Sequence, residues 1–352
     1  MSRHLRCPAL SRRPTVSVVI PCYNYGHYLE DAVGSVLSQE HVDADVVIVD
    51  DASTDDSAEV AAALAESRDR VQLIRHPKNR GHIATYNDGL AAVSGEYAVL
   101  LSADDLLTPG ALGRAVQLME AEPGVGLVYG HPVSFTSAPP AARTHVRNWT
   151  VWGGAEWIAG RCQRARNCTS SPEVVMRTSV QRVIGDYRAD LPHSGDFEMW
   201  MRAATVADVG RVNGADQAFY RVHDDSMLRT TYSGWINDLE GRRDAFLAIL
   251  DRQSRHRRPP NADALLSQAR RGLAVEALTR ARRAPGDGSD SVERYRAFAL
   301  ETYPAARDLR AWAALDRAGR RSTGPRPSGP GARLVLRLQD SFRWHRWRWS
   351  GE

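Results

Sequence analysis

Val16-Ser17-Val18-Val19-Ile20-Pro21-Cys22-Tyr23-Asn24-Tyr25-Gly26 decides the fold. Val16 to Ile20 is an apolar, largely β-branched run without strict alternation, the pattern of a strand buried on both faces of a parallel sheet. Pro21 stops it, and Tyr23-Asn24-Tyr25-Gly26 reads as a turn. Leu29, Ala32, Val33, Val36 and Leu37 then recur at helical spacing. The same order returns downstream. Val46 to Val49 is an apolar strand stopped by Asp50-Asp51. Ser53 or Thr54 is placed to cap the next helix, whose face includes Val60, Ala63 and Leu64. Val71 to Ile74 is a third strand, and the loop His76 to Gly81 leads into a helix near Ile83 to Ala92. Tyr97 to Leu101 is a fourth strand, ending at Ser102-Ala103-Asp104-Asp105. Thr108-Pro109 reads as a helix start with proline in the first turn, and Val125 to Tyr129 as a fifth strand.

This alternation predicts a doubly wound α/β sheet flanked by helices. In such sheets ligands bind beyond the carboxyl ends of the strands. The polar clusters Tyr23-Asn24, Asp50-Asp51 and Asp104-Asp105 all follow strands. After residue 140 the pattern is mixed: Glu173 to Met176 reads as a strand, Phe197 to Ala204 as a short helix, Ala218 to Val222 as a strand. Trp235 to Ala314 is rich in Ala, Leu and Arg and reads as helical, with breaks at Pro259-Pro260 and Pro285-Gly286. Four regions result: a basic N-terminal tail (1–13), a main domain (14–230, divided near 130), a helical region (231–320), and a Pro/Gly linker with a basic aromatic tail (321–352).

The 352 residues are 43% hydrophobic and 25% charged, with a formal net charge of +4, as in a soluble globular protein. The arginines do not mark a recognition helix, zinc finger or RNA-binding sheet, so nucleic acid is not the expected partner. Cys7, Cys22, Cys162 and Cys168 form no metal-binding pattern and read as reduced thiols of a cytoplasmic protein. Met1 to Pro14 has no apolar run of a secretory signal, and no segment has the ~18 apolar residues of a membrane span. In the tail, Val335, Leu338, Phe342 and Trp349 share a helical face beside Arg333, Arg337, Arg343, Arg346 and Arg348. That composition fits peripheral contact with anionic lipid. The alternatives are a helix docked on the protein's own surface, or a disordered tail.

Adjacent carboxylates at the end of a buried strand repel one another and are hard to desolvate without a cation. Asp104-Asp105 is therefore a candidate site for Mg or Mn, which could bridge to a diphosphate; the alternative is a solvated turn with a helix cap. Asp50-Asp51 could accept hydrogen bonds from a nucleobase or ribose, or form an Asp-rich turn. Asp196, in His193-Ser194-Gly195-Asp196-Phe197-Glu198-Met199-Trp200, falls at a helix start, where an anion is favoured, and could equally be an N-cap. Glu198, two residues on, points elsewhere on a helix. No Gly-x-Gly-x-x-Gly or Walker loop follows the first strand.

Val16-Ser-Val-Val-Ile-Pro-Cys-Tyr-Asn24 and Val47-Ile-Val-Asp-Asp-Ala-Ser-Thr-Asp55 closely resemble the opening of family 2 glycosyltransferases of the GT-A fold. So do Asn79-Arg-Gly-His-Ile-Ala-Thr-Tyr-Asn87 and Leu101-Ser-Ala-Asp-Asp105. Asp190 to Arg202 looks like the family's acceptor-side segment, and Tyr220-Arg-Val-His223 with Ser226 like its closing motif. The resemblance spans residues 14 to 230 and implies a GT-A type, Rossmann-like mixed sheet whose nucleotide-sugar half is 14–130 and acceptor half 131–230. It implies that Pro21, Tyr23, Asn24, Asp50, Asp51, Gly81 and Asp104 bind the nucleotide. Asp105 would ligate a divalent metal, Mn or Mg, with His223 as a further metal or phosphate contact. Asp196 would be the catalytic base, and His193, Glu198 and Trp200 would lie on the acceptor side. The family's Asp-x-Asp-Asp pattern has an acid where this chain has Ser102, which leaves the roles of Asp104 and Asp105 exchangeable.

The implied reaction is an inverting, metal-assisted transfer from a nucleoside-diphosphate sugar, UDP- or dTDP-linked, in cell-envelope or natural-product glycosylation. The acceptor would be a saccharide, lipid-linked, small-molecule or peptide hydroxyl. Two rivals differ in class. A non-catalytic nucleotide- or sugar-binding scaffold would keep the fold without the chemistry. A sugar nucleotidyltransferase would show a Gly-rich basic loop after the first strand, which Pro21-Cys-Tyr-Asn-Tyr-Gly26 lacks.

Overall fold

A computed structural model describes residues 2–224, 226, 234–282 and 291–321. The linker and basic tail beyond 321 lie outside the described residues. The chain divides into two compact units, the first formed by Met1–Trp157 with Thr169–Asp224.

The first unit opens with an edge strand, β1 (Arg3–Leu5), where the sequence suggested only a basic tail. Three strand–helix pairs follow: β2 (Thr15–Cys22) with α1 (Gly26–Leu37), β3 (Asp43–Asp50) with α2 (Ser57–Ser67), and β4 (Val71–Arg75) with α3 (His82–Ala91). Then come β5 (Tyr97–Leu100), a two-residue β6 (Leu106–Leu107), α4 (Ala111–Ala121), β7 (Val125–Tyr129), β8 (Pro132–Phe135) and β9 (Asn148–Trp152). After α5 (Gly154–Arg164) the chain makes a one-turn 3₁₀ helix at Ser171–Glu173. It continues through β10 (Val175–Arg177), α6 (Thr178–Ile184), α7 (Gly195–Ala204), β11 (Asp208–Asn213) and β12 (Ala218–Arg221).

Nine strands form one mixed sheet in the order β1-β9-β11-β7-β10-β5-β2-β3-β4. β5, β2, β3 and β4 run parallel, and β10 lies antiparallel between β5 and β7. Alternation along β2 explains the layers. Val16, Val18 and Ile20 join the core built with Leu29, Val33 and Val36 of α1 and Leu112 and Val116 of α4. Val19 faces the other way, onto α3, where a Cβ on Gly89 would come within 2.2 Å of its Cγ1. Only glycine lets α3 approach the sheet so closely. A separate small sheet, β6-β12-β8, carries the chain back to the end of β5.

Two helix starts differ from the sequence expectation. Ser53 and Thr54 do not cap α2, because Asn24 claims them: its N–H donates to Ser53 Oγ (3.0 Å) and its Oδ1 accepts from the Thr54 N–H (2.8 Å). Helix α4 begins after Gly110, whose φ of +73° makes the turn, and not at Thr108-Pro109.

The second unit gathers 158–168 with the described chain after Asp224. Helices α8 (Trp235–Leu250), α9 (Ala262–Ala281), α10 (Val292–Thr302) and α11 (Arg310–Arg321) make it helical, as composition predicts. Leu239, Phe246, Leu273, Leu278, Tyr295 and Phe298 are buried there. Arg242 is buried among them and is satisfied by Asp238, Glu276 and the Ala165 carbonyl. Among the described residues no helix is long and apolar enough to cross a membrane.

Candidate active site

The parallel strands β3, β2 and β5 lie side by side, so their carboxyl ends bring Asp50-Asp51, Tyr23-Asn24 and the Ser102–Asp105 turn to one edge of the sheet. Asp50 and Asp51 are both buried. Asp51 organises the loop before α3: its Oδ1 accepts from the Arg80 N–H (2.8 Å) and contacts His76 Nδ1 (2.7 Å), and its Oδ2 accepts from the Gly81 N–H (2.9 Å). Gly81 has φ +82° and ψ 157°, a region that side chains disfavour, and this turns its N–H toward the carboxylate. Pro21 pairs with Val49 in the strand register. Tyr23 is exposed at this edge.

At the end of β5 the two acids are held differently. Asp105 accepts the Arg221 backbone N–H at Oδ1 (2.8 Å), whereas Asp104 Oδ2 lies 2.9 Å from His223 Nε2. Arg221 latches this turn: its Nε donates to the Asp104 carbonyl (2.8 Å) while its guanidinium stacks between the rings of Tyr28 and Phe135. Burial raises the Asp105 carboxyl well above the usual range, and neighbouring Asp104 raises it further.

Those facts bear on a metal. Two adjacent acids with only the Arg221 guanidinium near would gain from a further cation, and Asp104 with His223 offers a carboxylate, which suits Mn or Mg, beside a softer imidazole. No group of three or more His, Cys, Asp or Glu side chains able to hold an ion converges among the described residues. A divalent ion would therefore draw its remaining ligands from a diphosphate and water, as Mg does in phosphate sites. The residues fit on those terms.

Asp196 is the second residue of α7, and the helix is flanked at its N-cap by Ser194, so Asp196 is not the cap. Its Oδ2 accepts from the Ser171 hydroxyl and its Oδ1 from the Tyr187 phenol (2.8 Å). Enclosure of the carboxylate raises its pKa, while those two donors and His82 pull it back. Glu198 is fully enclosed and paired with Arg202 (2.9 Å), which separates it from Asp196 as the helical spacing implied. Trp200 is buried too and lines a small, partly open cavity with Ser171, Tyr187 and Met199. His193 is half-buried on the approach to α7.

Three residues of this region, His76, Glu173 and Tyr187, have no assigned role in the sequence reading, and Arg221 enters it only inside the Tyr220-Arg-Val-His223 motif. Glu173 is 1% exposed, and its Oε1 accepts from the Ser170 N–H (2.7 Å) in a capping box that fixes the Ser171 turn. Its Oε2 has no partner, and burial pushes the carboxyl up to about 8. The Ser170-x-x-Glu173 spacing was the one available clue.

Residues 17–183 match the family model described as Glycosyl transferase family 2. That span is a family 2 glycosyltransferase domain. The matched span holds the Asp50-Asp51 and Asp104-Asp105 stations, and Asp196 lies just beyond it. Among curated relatives, an uncharacterized glycosyltransferase of Nostoc sp., alr2836, is 41% identical over 115 residues, 32% of this chain and 35% of the relative. The most similar curated relatives are matched over 32% to 66% of their own length, so the chain spans less than two thirds of these. Among solved structures, S. aureus TarS 1–349 in complex with UDP-GlcNAc superposes with a TM-score of 0.63 at 15% identity, covering 89% of this chain and 93% of that one. The mannosyltransferase PcManGT of Pyrobaculum calidifontis, solved with GDP-Man and Mn2+, gives 0.50 at 20% identity over 88% and 87%. At those identities the likeness is one of fold, and the fold is the GT-A type.

Proposed function

We propose that the protein is an inverting glycosyltransferase that moves a sugar from a nucleoside-diphosphate sugar, UDP- or dTDP-linked, to an acceptor hydroxyl with Asp196 as general base. The acceptor classes stay those implied by the sequence: saccharide, lipid-linked, small-molecule or peptide. The observation that carries the reading is the Asp196 carboxylate, raised in pKa by enclosure and oriented by two hydroxyl donors, in the same unit as the acids at the sheet edge. A carboxylate offers about four lone-pair sites, so two donors leave capacity for an incoming acceptor O–H.

The division of labour follows from the chemistry of each station. Tyr23 would stack on the nucleobase, while Asn24, Asp50 and Asp51 hold the edge it rests against, with Gly81 closing the loop. Asp104 and His223 would hold Mn or Mg, with Asp105 fixing the turn from behind; this exchanges the two acids' roles relative to the sequence expectation, because Asp105 is engaged by the Arg221 amide. When bound, the ion supplies Lewis-acid stabilisation to the departing diphosphate. Asp196 accepts the proton of the acceptor hydroxyl as that oxygen attacks the anomeric carbon from the face opposite the leaving group. Two solved relatives in fold are complexes with UDP-GlcNAc and with GDP-Man and Mn2+, which supports a nucleotide-sugar donor and a divalent ion here.

A panel of nucleotide sugars, scored by nucleoside diphosphate release with Mn, Mg or chelator, tests this. The expected result is metal-dependent release from one UDP- or dTDP-sugar. Donor binding without release under any metal would favour the non-catalytic scaffold.

A further inference from the structure

Asp196 receives one hydrogen bond from an element outside its own helix and outside the Ser171 turn: the phenol of Tyr187. Tyr187 is itself held with unusual completeness. Its backbone N–H donates to Asn87 Oδ1 (2.8 Å), and its backbone carbonyl accepts from Asn87 Nδ2 (3.0 Å). One amide side chain thus clamps both backbone polar groups of one residue. The Tyr187 ring also meets Tyr86 edge-to-face, with centroids 5.4 Å apart. Asn87 and Tyr86 both belong to α3, and His82 of the same helix contacts the Pro192 carbonyl (3.1 Å) three residues before Gly195. The loop that leads into α3, ending at its N-cap Gly81, is where Asp51 receives the Arg80 and Gly81 amides. One ten-residue helix therefore runs from the nucleotide-side carboxylate to the residues that orient the acceptor-side carboxylate.

We infer that Tyr187 is a positioning residue for Asp196, and that Asn87 fixes Tyr187 to α3, so that this helix ties the nucleotide loop to the proposed base. The inference rests on the reading of Asp196 as the base only for its effect on turnover; the positioning itself does not require it. Two features support the role. The Tyr187 hydroxyl is locked as a donor, because burial and the facing Asp196 both push its ionisation far upward. Its bond favours the ionised carboxylate, the form a general base needs. The groups around Asp196 are accounted for: Ser171 and Tyr187 as hydroxyl donors, His82 of α3 as a nearby imidazole, and Glu173 as a neighbouring acid. Tyr86 and Arg202 in turn face Tyr187.

The test is an infrared titration of the Asp196 carboxylate in the full chain, isolated by subtracting the spectrum of Asp196→Asn. In Tyr187→Phe, which keeps the ring, the ionised form loses a donor, so the midpoint should move up by about one pH unit. An unmoved midpoint overturns the inference. Asn87→Ala should move it in the same direction and lower kcat while leaving KM for the donor near its original value. It carries the test alone if Tyr187→Phe does not fold. A purely structural contact would leave the titration where it was. The two readings fail separately: an active Asp196→Asn removes the base assignment and leaves the shift standing, whereas an inactive Asp196→Asn with an unshifted Tyr187→Phe removes only the positioning role.

Discussion

Glu173 shows how much one side chain can hide. Its carboxyl accepts the Ser170 amide, closing the turn that presents Ser171 to Asp196, while its other oxygen is buried without a partner. Burial raises its folded pKa to about 8, against about 4.3 for an unfolded glutamate. A raised folded pKa means that the protonated form is the one folding favours. Its contribution to stability is complete below about pH 4.3 and is lost as pH rises through about 8. Glu173→Gln keeps the capping acceptor and cannot ionise. The melting temperature of Glu173→Gln should therefore exceed that of the wild type by a margin that widens as pH rises toward 8 and then levels off. Thermal unfolding across that range checks it; a margin independent of pH would mean that Glu173 is ionised in the fold.

At the scale of elements, α3 carries the most. Gly89 lets it lie against β2 and β3, since a Cβ there would meet Val19 Cγ1 at 2.2 Å and Val49 Cγ2 at 3.1 Å. Gly89→Ala should destabilise the protein by about 1–3 kcal/mol through overpacking. It should also lower turnover, because the same helix holds Asn87 and His82 at the acceptor side. Denaturant unfolding and kcat measured together check this; loss of stability with unchanged kcat would separate the helix from the site.

The elements also show what a sequence can and cannot disclose. β2, β3 and β5 were legible because runs such as Val16 to Ile20 are buried on both faces. The acids that follow them were legible because carboxylates at buried strand ends need a reason. β1 was not, since Arg3-His4-Leu5 is a polar edge strand whose pairing with β9 comes from distant residues. Nor was Asn24's capture of Ser53 and Thr54, which removes both proposed caps of α2. Glu173 was read as the start of a strand, yet it ends a 3₁₀ turn, and the strand begins at Val175. Tyr187 and His76 act from loops without periodicity through partners in other elements, Asp196 nine residues away and Asp51 25 away.

For the whole molecule, the first unit contains every station of the proposed site, and the helical unit after Asp224 contributes none of those residues. Donor recognition, metal and base would then lie in one sheet-based unit, with Asp196 taking the acceptor proton. The most direct measurement is turnover of Asp196→Asn alongside donor-nucleotide binding by calorimetry. General-base loss should cost about 10²–10⁴-fold in kcat, with nucleotide affinity unchanged. Turnover equal to the wild type would contradict the assignment.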